Sequence, residues 1–174
     1  MGALDVSRAL LVVTLVTLFV EGLQLAVFST WRIDGVVIMA VWLWPLAMGL
    51  AGYTALGIWS AIVAGVFLDT HATTPFGLTA VVGVALAYGA SRLGREGVGD
   101  LDSAAWWVTP VLAGVAGFVA PVLYVALGVV ALNFGLWRGS VLTVMVVNAL
   151  AFAVGARPVT RLARAVGRLG GTRR

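Results

Sequence analysis

The sequence predicts an all-α integral membrane protein with six transmembrane helices, and three observations lead there. The 174 residues are 61% hydrophobic and only 10% charged, where soluble domains carry about 25% charged residues. Mean hydropathy is +1.07, so the chain lacks the polar side chains needed to cover a water-facing surface. At roughly 20 residues per span, its length holds five or six crossings joined by short connections.

Taken in order, the first span runs over about 9–28, an apolar stretch interrupted by Glu21. The second, 36–50, reads "VVIMAVWLWPLAMGL". It is short, and Pro45 either kinks it or marks a re-entrant shape. The third covers 52–68 and carries Gly57, Ala61 and Gly65 at intervals of four, small residues that let another backbone approach closely. The fourth, 76–91, follows Pro75, which is suited to starting a helix. The fifth, 106–130, contains Gly114, Gly117 and Pro121, the pattern of a tight or kinked contact. The sixth, 139–156, contains Asn148, whose amide needs a hydrogen-bonding partner inside the membrane.

Charge supports this division. All eleven basic residues are arginine. Six spans place Arg8, Arg92, Arg95, Arg157, Arg161, Arg164, Arg168, Arg173 and Arg174 on one side, and only Arg32 and Arg138 on the other. The positive-inside rule then puts both termini in the cytoplasm. The sequence pI of about 10.7 fits an anionic lipid surface better than nucleic acid. No signal peptide is read from "MGALDVSRAL". There is no cysteine, which excludes disulfides, thiolate metal sites and a cysteine nucleophile.

Residues 157–174 form a basic cytoplasmic tail. Arg157, Arg161, Arg164 and Arg168 recur at helical spacing with Val159, Leu162, Ala163 and Val166 between them, as in an amphipathic helix on the inner leaflet. Such a helix either anchors topology at lipid head groups or docks a cytoplasmic partner.

Polar residues inside the spans are the candidate functional groups. Glu21 lies over halfway along the first span, where a carboxylate usually faces a bundle interior or a polar cavity. Thr14, Thr17, Glu21 and Gln24 share one helical face. That stripe either lines a cavity or bonds across a helix interface. Glu21 itself serves an interface, contacts a substrate or ion, or lies near enough to the surface to need neither. Asp69 and His71, in "GVFLDTHATTPFG", are two residues apart and diverge on a continuing helix. A metal site wants at least three converging ligands, and His71 is the only histidine. No GxSxG occurs, so a serine triad has no support. The sequence offers no catalytic, cofactor-binding or metal-ligating set. Asp69 therefore reads as the structural end of the third span.

The stretch "GIWSAIVAGVFLDTHATTPFGLTAVVGVALAYGASRLGR", Gly57 to Arg95, resembles the rod shape-determining protein MreD family. The resemblance rests on Gly65 and Asp69 at the helix end, on Pro75, Gly77 and Leu78 after the turn, and on Tyr88 in the next helix. Its "THATT" departs from a family turn richer in Gly and Ser. The resemblance implies a fold like the six-helix substrate-binding subunits of energy-coupling-factor transporters. It also implies a non-enzymatic scaffold without cofactors in the complex that inserts peptidoglycan along the side wall. Implied partners are the bitopic protein MreC, with links to RodA, a class B penicillin-binding protein and the actin-like MreB. Membrane lipid is a further partner, nucleic acid is not, and a homodimer stays open. Partner binding is expected through the Gly57, Ala61 and Gly65 face or through the polar stripe of the first span. The rival expectation is a vitamin-binding transporter subunit, with Glu21, Gln24, Trp31 and Trp42 contributing to an outward pocket.

Overall fold

The computed structural model describes residues 3–28, 32–33, 36–71, 75–94, 105–130 and 140–169. Helix α1, Ala3–Leu23, continues as a π-helical turn over Gln24–Phe28. Two short strands follow, β1 (Arg32–Ile33) and β2 (Val36–Val37), paired antiparallel with Arg32 opposite Val37 and Ile33 opposite Val36. A 3-10 turn, Ala40–Trp42, leads into α2, Leu43–Leu50. Then come α3 (Thr54–His71), α4 (Leu78–Arg92), α5 (Val108–Val130) and α6 (Val141–Leu169).

Four of these helices, not six, are long and apolar enough to cross a membrane: Val6–Val27, Thr54–His71, Val108–Val130 and Val141–Arg168. The second and fourth expected spans are the shorter apolar helices Ala40–Leu50 and Leu78–Arg92. At ~1.5 Å per residue the first reaches only about 16 Å and the second about 22 Å, against a hydrocarbon core of about 30 Å. The expectation of six spans fails because an apolar run has two uses that hydropathy cannot separate. It can face lipid, or it can be enclosed by protein.

Helix α2 is of the second kind. From Val41 to Ala51 every residue but Leu43 is buried. Trp42, Leu46 and Leu50 pack with Val82, Leu86, Ala120, Tyr124 and Phe152 from α4, α5 and α6. Trp44, Ala47 and Met48 pack the other way, with Ala9 and Val13 of α1 and Ala163 and Val166 of α6. A helix that buries both faces needs apolar residues all round. Pro45 sits in its first turn, where a missing N–H costs no helical hydrogen bond.

Helices α3 and α4 pack antiparallel through small residues. A Cβ on Gly65 would strike the backbone of Ala80, one on Gly83 would lie 3.0 Å from Ala61 Cβ, and one on Gly57 would lie 3.3 Å from Ala87 Cβ. Gly57 also touches α2, at Pro45 O and Gly49 N. The Gly57, Ala61 and Gly65 face is thus covered inside the chain. It is not an outer face for a partner, because close helix approach uses the same small residues in either role. In α5, Gly117 approaches Asn148 O and Phe152 of α6 in the same manner.

Helix α6 does not end near 156. It continues unbroken to Leu169 with Pro158 inside it. Ala156, Thr160, Ala163 and Val166 form its buried face, while Arg161 and Arg168 are exposed and Arg157 and Arg164 half-buried. The spacing of the arginines does make one helix face polar. The opposite face is taken by α1, α2 and Tyr53, rather than left for a leaflet. Arg95, Arg138, Arg173 and Arg174, Trp31 and the 95–104 connection lie outside the described residues. Leu11, Leu15, Phe19, Val115, Leu142, Leu150 and Val154 point outward from the spanning helices. An apolar exterior on several membrane-length helices is the mark of a multi-pass helical membrane protein.

Candidate functional site

The polar groups expected from sequence separate into three places. The first is the junction of α3 and α4. The residue before α4 is Gly77, at φ +90°, a conformation that favours glycine, and it has no side chain to cap the helix. Asp69 supplies the cap from the neighbouring helix. Its Oδ2 accepts hydrogen bonds from the Gly77 N–H (2.8 Å) and the Thr79 N–H (3.3 Å), and its Oδ1 accepts from Thr79 Oγ1 (2.6 Å). A carboxylate at a helix N-terminus also meets the positive end of the helix dipole. Asp69 is buried, while His71 is exposed, with Nδ1 against Phe67 O (2.7 Å) and its ring tilted 42° against that of Phe67. The two do not converge.

The second place is the α1 stripe. Thr14 Oγ1 donates to Leu10 O and accepts from Trp59 Nε1 (2.9 Å). Thr17 Oγ1 donates to Val13 O and accepts from Trp44 Nε1 (3.1 Å). These hydroxyls therefore fasten α1 to α3 and α2, and from Thr17 on the stripe is interior. It is no more an outer docking face than the glycine face is. Glu21 is wholly buried, and neither carboxylate oxygen has a hydrogen-bond partner among the described residues. Gln24 Nε2 donates to Ile38 O (3.0 Å), and its Oε1 is buried without a partner.

The third place is Asn148 in α6. Its Nδ2 donates to Val144 O (2.9 Å), and its Oδ1 accepts the Met39 N–H (2.8 Å). It thereby ties the irregular 36–40 segment to the bundle. Backbone that leaves helical geometry at this depth must find partners elsewhere in the protein.

Between these places lies a cavity of about 210 Å³ lined by Gln24, Met39, Val41, Trp42, Leu68, Thr79 and Tyr124, among others. Trp42 and Tyr124 form its aromatic wall, ring centroids 5.4 Å apart and tilted 57°. Trp42 Nε1 donates to Thr79 O (3.2 Å), so the wall is bonded to the same residue that holds Asp69. Of the residues expected in an outward pocket, Gln24 and Trp42 line this cavity. Glu21 is not among its lining residues, and Trp31 lies outside the described ones.

Sequence reasoning missed Thr79 and Tyr124. Thr79 carried a signal, a hydroxyl directly after "PFGL" at the start of a helix. Tyr124 carried another, a phenol in the middle of an apolar run. Tyr88 lies on the outer side of α4, half exposed, with Arg92 Nε donating to its hydroxyl (3.0 Å). Pro75 lies in the turn before α4, and its carbonyl accepts the Leu78 N–H. At the arginine-rich end, Arg157 lies 5.0 Å from the ring centroid of exposed Trp106 and donates to its carbonyl. Among the described residues, no three His, Cys, Asp or Glu side chains are grouped to hold a metal ion. No family model, curated protein or solved structure matches this chain.

Proposed function

We propose that this multi-pass membrane protein is a non-enzymatic scaffold of the MreD type. In this reading it sits in a bacterial inner membrane with both termini cytoplasmic, and it binds an MreC-type bitopic partner in the complex that builds the lateral cell wall. RodA, a class B penicillin-binding protein and MreB are the further partners of that complex. The observation that carries the reading is the α3–α4 hairpin. Gly65, Asp69 and Gly77, which carry the resemblance, are also the residues on which its geometry depends: close approach at Ala80, the cap, and the positive φ. Tyr88 is left on the outside of the same hairpin, available to a neighbour. Arg157, Arg161 and Arg168 suit the anionic head groups of the cytoplasmic leaflet.

The test is co-expression with an MreC-type partner and purification in mild detergent. A complex that survives gel filtration and weakens several-fold on Tyr88→Ala is the expected outcome. Reproducible absence of any complex would overturn the reading. A second reading, the small-molecule-binding subunit of an energy-coupling-factor transporter, is favoured by one observation, the cavity beside Gln24. Mass spectrometry of the purified protein decides it: a stoichiometric vitamin, or a co-purifying transporter ATPase, would replace the scaffold reading.

A further inference from the structure

Three buried acceptor oxygens are left over within one turn of α1: both of Glu21 and Oε1 of Gln24. The amide orientation of Gln24 follows from its other bond, because Ile38 O can only accept and so must face Nε2. Residues three apart lie on one helix face, with Cβ atoms about 5–6 Å apart. A buried acceptor without a donor costs free energy, so such groups call for an explanation. Here the explanation has a place to sit, since Gln24 lines the 210 Å³ cavity and is itself only 6% exposed.

Two further features converge on the same spot. The α1 helix ends in a π turn that begins at Gln24, so this side chain leaves the regular helix at the cavity. The aromatic part of the wall is the Trp42–Tyr124 pair, and aromatic faces attract cations, most strongly in a desolvated setting. No arginine is among the described lining residues. Gln24 Oε1 can only accept, and Glu21 accepts at both oxygens once it is ionised beside a cation, so the missing partner is a donor.

We propose that this cavity binds a small protonated amine, held between Gln24 Oε1 and the Trp42–Tyr124 pair, with Glu21 as its counter-charge one helical turn away. Such a site is independent of the scaffold reading and compatible with it. Size limits the ligand. An apolar cavity of about 150 Å³ holds benzene, so 210 Å³ admits a ring with one aminomethyl group.

The full chain in nanodiscs is titrated with benzylammonium, benzyl alcohol and toluene, with empty nanodiscs correcting for partition into lipid. The expected result is saturable binding of benzylammonium, about tenfold tighter than the alcohol and more so than toluene, as a charged donor requires. Gln24→Leu weakens that binding about tenfold. Leu25 also lines the cavity, and Leu25→Trp, which fills it while keeping Gln24, abolishes binding. Glu21→Gln erases the preference for ammonium over alcohol, and it serves alone if Gln24→Leu does not fold. Three outcomes overturn the site: no saturable binding to the folded wild-type chain, toluene bound as tightly as the amine, or unchanged affinity in both Gln24→Leu and Glu21→Gln.

Discussion

Asp69 Oδ1 accepts a 2.6 Å hydrogen bond from Thr79 Oγ1, while Oδ2 of the same carboxylate accepts the Gly77 and Thr79 N–H groups. One side chain at the end of α3 thus caps α4, whose own N-terminal residue is a glycine without a cap to offer. Because Thr79 O also accepts from Trp42 Nε1, the cap, the aromatic wall and the cavity form one connected unit.

Removing the cap should therefore be costly. Asp69→Ala is expected to lower unfolding free energy by about 2–3 kcal/mol, the range for buried hydrogen bonds to a charged group. Thr79→Val should cost less, about 1–2 kcal/mol, since the backbone N–H bonds survive. Unfolding in detergent checks both, and the double mutant should lose less than the sum of the single losses.

Two glycines should respond in opposite directions to the same change. A Cβ at Gly65 runs into the backbone of Ala80, so Gly65→Ala should destabilise by about 1–3 kcal/mol. Gly89 has nothing within 4 Å of a Cβ. Gly89→Ala should instead gain about 0.5–1 kcal/mol from helix propensity. Parallel thermal melts compare them, and equal effects would show that α3 and α4 do not pack at Gly65.

Glu21 supplies a test with an unusual sign. Its unpartnered carboxyl should make Glu21→Leu more stable than wild type in the absence of ligand, by about 1–3 kcal/mol. A loss of stability would reveal a partner for the carboxylate in the membrane.

The lack of cysteine makes accessibility mapping direct. Cysteine placed at Ser7 or Arg168 should be labelled from the same side of the membrane, and cysteine at Ser140 from the opposite one. Cysteine at Ala47 or Met48, both almost wholly enclosed, should resist labelling from either side. Labelling of α2 by a lipid-soluble reagent would restore it as a lipid-facing span.

Much of this protein was legible in its residues one at a time. Membrane character followed from composition, because apolar side chains have nowhere else to go. Helix positions followed from apolar runs and their breaks, with α3, α5 and the start of α6 within about three residues of expectation, inside the usual uncertainty of boundaries. The small-residue faces were visible at intervals of four, and Asp69 was visible as a helix end. What the sequence determined alone was thus the solvent and the local periodicity.

Tertiary structure decided what each apolar or polar face meets. Lipid and protein interior are equally dry, so hydropathy cannot tell α2, enclosed on both faces, from a crossing helix. The same ambiguity hid the fate of Gly57, Ala61 and Gly65, whose closeness could serve a neighbouring chain or, as found, α4. It hid the continuation of α6, whose apolar stripe fits a leaflet as well as it fits α1 and Tyr53. Only the fold brings Asp69 to Thr79 across a turn, or sets Gln24 against Trp42 and Tyr124. Those pairings are separated by many residues in the chain, and no local propensity encodes them.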